Sequence, residues 1–79
     1  MSVEETIKQI ASKILHVNNI EFPEGGTFKQ LGADSLDIVQ IIVAIEDKYE
    51  IELLDDELQN LTTVREFVSL VERKVAAKG

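Results

Sequence analysis

The chain has no cysteine and only one histidine, so neither a disulfide framework nor a Cys/His metal cluster can hold it together. Stability has to come from apolar packing, for which 44% of the residues are hydrophobic. At 79 residues the chain supports one domain, expected to span 1–79, with one modest core. No apolar run approaches the roughly 18 residues that a membrane span needs, and no basic start followed by an apolar stretch marks a leader. A cytoplasmic, aqueous location with no membrane partner is therefore expected. Internal repeats and low-complexity tracts are also missing.

Cations are scarce in the middle of the chain. Residues 34–57 hold nine acids against Lys48 alone, a net charge of −8, while residues 1–33 carry −1 and residues 58–79 carry +2. A field of that sign repels nucleic acid and anionic lipid and steers basic protein surfaces toward itself, at rates that fall with added salt. A solvated face that keeps the chain soluble accounts for the same composition, so charge alone leaves both readings open.

Ser2 and Glu5 have the spacing of a capping box, and Val3, Ile7, Ile10, Ala11, Ile14 and Leu15 recur at three- and four-residue intervals, which predicts a helix over 3–16. His16, Asn18 and Asn19 end it, with His16 favourably placed at the negative end of the dipole. The stretch through Phe22, Pro23, Gly25 and Gly26 has no period and reads as a long connection, a kind of segment that is usually functional or anchored. Phe22, Phe28 and Leu31, beside Ile20, are the bulky apolar residues able to pin it, and Thr27 is placed to cap a short turn.

Leu36 to Ile45 is the most continuous apolar stretch, too long and too interrupted by acids for a buried strand, and predicts a helix over 35–50. Residues 55–60 suit one or two helical turns. Thr62 or Thr63 then caps a final helix through Val64, Phe67, Val68, Leu70, Val71 and Val75, with Arg73, Lys74 and Lys78 at the negative end of its dipole. The expected fold is all-α: a small bundle of three main helices plus a short helix before the last, with a long loop between helices one and two.

The second helix carries more apolar residues than one core stripe needs. On a helical wheel Ile38, Ile41, Ile42, Ile45 and Tyr49 fall within an arc of about 100°, enough for a core-facing stripe. Leu36, Val39 and Val43 fall in a second arc, flanked by Gln40, Glu46, Asp47 and Glu50. Either these three pack beneath the long loop or the short helix, or they form an exposed docking strip. An apolar strip rimmed by carboxylates suits transient partners, because charge sets the encounter rate while a small apolar contact lets the complex dissociate.

Asp34, Ser35 and Leu36 sit where the loop turns into this helix, which puts the Ser35 hydroxyl at the positive end of the dipole, near unpaired N–H groups. That is a natural place for a phosphate, although a serine at a helix start is ordinarily just a cap. Gly32-Ala33-Asp34-Ser35-Leu36-Asp37 resembles the Asp-Ser-Leu signature of acyl carrier proteins, in which the serine is esterified by 4′-phosphopantetheine. The resemblance extends over the whole chain, through Ile45-Glu46-Asp47-Lys48-Tyr49 and Asp55-Asp56-Glu57 to Thr62-Thr63-Val64.

The resemblance implies that Ser35 bears a covalent 4′-phosphopantetheine arm flanked by Asp34, Leu36 and Asp37. It implies that Glu46, Asp47, Asp55 and Asp56 face partner enzymes, with Leu36 and Val43 as apolar contacts; Val39 and Gln40 lie on the same face. The arm's thiol would hold acyl groups as thioesters for enzymes of fatty-acid or specialised, polyketide-like biosynthesis. Implied partners are a phosphopantetheinyl transferase and acyl-transferring or acyl-processing enzymes with basic docking surfaces; a monomer is expected. An acyl chain folded back between helices would gain about 0.8 kcal/mol per buried methylene, and Ala44 with the β-branched residues of the second helix is placed to form such a cleft, although an ordinary dry core accounts for these residues equally well. Two positions depart from the family pattern: Gln40 stands where an acid is frequent, and Leu54 where proline is common.

Intrinsic catalysis is not expected. The one histidine, His16, closes the first helix, and no glycine-flanked nucleophile elbow surrounds Ser35. Asp55, Asp56 and Glu57 lack the alternating ligands and turn glycine of a calcium loop, and Gly25-Gly26 lacks the context of a phosphate loop. The rival from another class is an unmodified acidic helical adaptor that binds partner proteins, with Ser35 serving only as a cap.

Overall fold

In the computed structural model, which describes residues 2–78, the Ser2 hydroxyl oxygen accepts from the Glu5 N–H at 3.1 Å and starts α1, Val3–Leu15. The helix ends one residue before the expected boundary. His16 turns into the left-handed region (φ 58°) and its N–H bonds back to the Ser12 carbonyl, closing the last turn without glycine. Ile7 and Ala11 on its inner face are completely buried.

The long connection from α1 to the next helix has little regular structure and is pinned where its apolar residues allow. Ile20 and Phe22 are buried, and the half-buried Phe28 ring meets Phe67 edge-on, centroids 5.5 Å apart and planes at 75°. Thr27 Oγ1 accepts from the Gln30 N–H at 3.2 Å while Gln30 Oε1 accepts from the Thr27 N–H at 2.9 Å. This reciprocal pair opens one 3-10 turn, Lys29–Leu31. Gly26 donates to the Pro23 carbonyl and accepts from the Val64 N–H, both at 2.9 Å, tying the loop to the start of the last helix.

Helix α2 spans Ser35–Tyr49, α3 spans Asp55–Gln59 and α4 spans Val64–Lys78. The fold is all-α among the described residues. Ile41 and Ile45 of α2, Ile7 and Ala11 of α1, and Phe67 and Val71 of α4 meet in one core, which Leu53 joins from the α2–α3 connection. The expected core stripe of α2 splits in two: Ile41 and Ile45 have no exposed surface, whereas Ile38, Ile42 and Tyr49 are only half-buried.

Lys78 lies in the last turn of α4, as expected, but two of the cations of this helix also reach other elements. Lys78 Nζ donates to the Tyr49 and Glu50 carbonyls at 3.0 Å each, so it closes the C-terminus of α2, where Glu50 is left-handed (φ 54°) and carbonyls lack helical partners. Lys74 pairs with Glu57 of α3 at 2.8 Å. Both contacts join segments far apart in sequence, which a reading of one helix at a time does not register.

Of the two threonines before α4, Thr63 is the cap: its Oγ1 accepts from the Glu66 N–H at 3.1 Å. Glu66 Oε1 in return accepts from the Thr62 hydroxyl at 2.7 Å and from the Thr62 and Thr63 N–H groups at 2.9 and 3.0 Å. The Thr62 hydroxyl first, and then these two N–H groups, hold the Glu66 carboxyl down at about 2, against an ordinary 4.5. A carboxyl lowered on folding contributes stability that is complete above its unfolded value and is lost as the pH falls through its folded value. The gap in urea midpoint between the wild-type chain and Glu66→Ala is therefore expected to be constant above pH 4.5 and to close as the pH falls toward about 2. A gap independent of pH over that range would remove the charge from this account.

Candidate functional site

The start of α2 is capped by Asp34, not by Ser35. Asp34 Oδ1 accepts from the Asp37 N–H at 2.9 Å, and Asp37 Oδ2 accepts from the Asp34 N–H at 3.2 Å. Asp34 has extended backbone (φ −95°, ψ −178°) and Ser35 is the first residue of the helix. The capping role that a lone serine ordinarily fills is already taken, which leaves the exposed Ser35 hydroxyl without structural duty among the described residues. The first backbone hydrogen bond of α2 is the Ile38 N–H to the Asp34 carbonyl, so the N–H groups of Ser35 and Leu36 point out of the helix end without helical acceptors. An exposed hydroxyl, free N–H donors and the positive end of a fifteen-residue helix converge on one spot.

From this hydroxyl two faces of α2 lead away. On one, Leu36, Val39 and Val43 are 65%, 53% and 56% exposed, which excludes their packing beneath the loop or α3. Gln40 and Asp47 are exposed beside them, as are Asp55 and Asp56 in the first turn of α3. Glu46 differs from its neighbours: it is half-buried, and its Oε2 accepts from the Leu53 N–H at 2.8 Å. One of its oxygens thus fixes the α2–α3 connection. Leu54, at the start of α3, is 47% exposed and adds an apolar residue to this end of the molecule. Its N–H donates to Glu57 Oε1 at 3.1 Å, a bond that the proline common at this position in the family could not make.

The other face carries Ile38 and Ile42, three and seven residues after Ser35 and thus on the same side of the helix. Together with Phe28, Leu58, Leu61 and Phe67, and with Thr62 and Thr63, they line a cavity of about 200 Å³. Of the residues expected to form a cleft, the β-branched Ile38 and Ile42 line this one and Ala44 does not. Sequence periodicity assigned Ile38 and Ile42 to the solid core because the wheel gives their direction but not the gap left by a short α3. Leu58, Leu61 and Phe67 were visible as apolar residues, yet nothing in their spacing marks a cavity wall.

The phosphopantetheine attachment site family model matches residues 5–71. The fold is similar to the solution NMR structure of a holo acyl carrier protein from Geobacter metallireducens, with a TM-score of 0.86 and 26% identity over 99% of this chain and 91% of that one. It is also similar to the crystal structure of an acyl carrier protein from Thermotoga maritima, with a TM-score of 0.82 and 25% identity over 98% and 91% of the two chains. The chain accordingly belongs to the phosphopantetheine-attachment family: it is an acyl carrier protein, bearing cargo on a phosphopantetheine arm for enzymes to process and performing no catalysis itself.

Proposed function

We propose that the arm is esterified to Ser35 and that the chain, as one domain over 1–79, presents acyl groups to enzymes of fatty-acid or polyketide-like biosynthesis. The observation that carries this reading is the division of labour at the start of α2, where Asp34 caps the helix and the neighbouring hydroxyl is exposed and free.

The residues present fit a phosphodiester. The Ser35 and Leu36 N–H groups and the helix dipole favour its negative charge. The Asp34 and Asp37 carboxylates would repel it, but each already accepts a backbone N–H, which orients them toward the helix end and partly offsets their charge. When bound, the arm supplies a thiol that holds an acyl group as a thioester and presents it at high effective concentration. Leu36, Val39 and Val43 form the contact strip. Asp47, Asp55 and Asp56, with Asp37 and the second oxygen of Glu46, attract the basic docking surfaces of a phosphopantetheinyl transferase and of acyl-transferring or acyl-processing enzymes. A cytoplasmic monomer that binds neither nucleic acid nor membrane is consistent with a net charge of −7; among the described residues no helix is long and apolar enough to cross a membrane.

Co-production with an active phosphopantetheinyl transferase is expected to raise the intact mass by about 340 Da. A chain that stays at its unmodified mass under those conditions would favour the adaptor reading, in which the acidic face binds partners without cargo.

A further inference from the structure

Three N–H groups of the chain leaving α2 converge on Glu46. Its carbonyl accepts from the Glu50 N–H, where the backbone turns left-handed (φ 54°), and from the Ile51 N–H at 3.1 Å. Its carboxylate reaches further, to the Leu53 N–H, 2.8 Å from Oε2. The two carbonyl bonds belong to the backbone and would survive any side chain; the third depends on this one. Leu53 is buried and Glu46 half-buried, so the carboxylate satisfies a donor that burial would otherwise leave unpaired. What this bond positions comes next in the chain. Leu54 precedes α3, Asp55 and Asp56 are the first two residues of that helix, and all three are exposed. On α2 Asp47, next to Glu46, is exposed as well. Like charges on the two segments repel, and α3, five residues long with none buried, is too short to fix its own place. The Glu57–Lys74 pair ties α3 to α4. Among the described residues, Glu46 to Leu53 is the side-chain hydrogen bond that ties this segment to α2.

We infer that Glu46 is a positioning residue for partner docking: through Oε2 on the Leu53 N–H it keeps Asp55 and Asp56 in register with the strip on α2, so that one basic surface meets both. The inference rests on the carrier reading and on the docking face proposed with it. The effect of Glu46 on partners then has two parts. Its charge steers them as that of Asp47 does and is screened by salt. The register it imposes is a matter of geometry, which salt leaves in place.

Two substitutions separate these parts. Glu46→Gln keeps the length and an acceptor oxygen but removes the charge, whereas Glu46→Asp keeps the charge and is one methylene too short for the bond. The rate to read is the transferase's kcat/KM on each variant, relative to the wild-type chain at the same salt. Glu46→Gln is expected to fall about threefold at low salt and to return to wild type at 1 M, where the Debye length is about 3 Å. Glu46→Asp should stay about fivefold low at both. At low salt, replacing Asp55 and Asp56 together by asparagine should cost less in the Glu46→Asp background than in the wild type or in Glu46→Gln, a coupling that lost stability alone does not produce. Amide exchange on the unmodified chain follows the bond itself: relative to the core amide of Val71, that of Leu53 should exchange about tenfold faster in Glu46→Asp and at the wild-type rate in Glu46→Gln. A Glu46→Asp chain that recovers at 1 M salt, a Glu46→Gln chain that does not, additive costs with Asp55 and Asp56, or an unchanged Leu53 amide would each overturn the inference. A wild-type chain that never gains the arm would sink the carrier reading and this inference with it; wrong ratios on a chain that is modified would sink the positioning role alone.

Discussion

Replacing Ser35 with alanine is expected to abolish the gain of about 340 Da on exposure to an active transferase and to leave the melting temperature nearly unchanged. On the proposed attachment, loss of modification is all or none, because the ester is carried by the oxygen of this one hydroxyl. The stability half of the result follows from the cap. Had Ser35 capped α2, its loss would cost about 0.5–2 kcal/mol; the bonds that close this helix start come from Asp34 and Asp37. Asp34→Ala is expected to do the reverse, losing the cap energy while retaining some modification. Intact-mass measurement and thermal unfolding on both variants separate the roles. A Ser35→Ala chain that still gains the mass would place the arm elsewhere, and one that melts like a cap deletion would return the serine to a structural role.

Much of this was legible in the sequence, and what was not has physical reasons. Period and caps give helix boundaries to within a residue, as at α1 and α2, because capping depends on neighbours three or four positions away. The second apolar face was legible for the same reason, since Leu36, Val39 and Val43 cannot turn inward while Ile41 and Ile45 do. Whether the loop or α3 covers that face was not legible, and the structure leaves it exposed. The choice between Asp34 and Ser35 as cap was not, since both residue types favour that position and one step of backbone decides. Also out of reach were contacts between distant segments. Lys78 on the α2 carbonyls, Lys74 on Glu57 and Glu46 on the Leu53 N–H depend on how helices sit together. That information lies in three dimensions, and it also separates the half-buried Glu46 from the exposed Asp47 beside it.

Two substitutions two residues apart on α2 are expected to fail in opposite ways. Val43 is 56% exposed and Ile45 is completely buried. Val43→Glu puts a charge on the contact strip, where a partner would have to desolvate it, and should lower the transferase's kcat/KM on this chain by tenfold or more, about 1.4 kcal/mol, with helicity and melting unchanged. Asp47→Lys acts on the same rate from a distance: it weakens steering, so its effect should shrink as salt rises and the Debye length falls to about 3 Å at 1 M. Ile45→Ala removes packing from the point where α1, α2 and α4 meet and should cost about 2–5 kcal/mol. A domain of this size has a total stability of the order of only 4–12 kcal/mol, so much of the chain would unfold on modest warming. When folded at low temperature, however, the Ile45→Ala chain should still be modified at close to the normal rate, because its docking strip and Ser35 are intact. If Val43→Glu instead unfolds the protein while turnover of the remaining folded fraction is normal, the strip is part of the core and the docking face has to lie elsewhere.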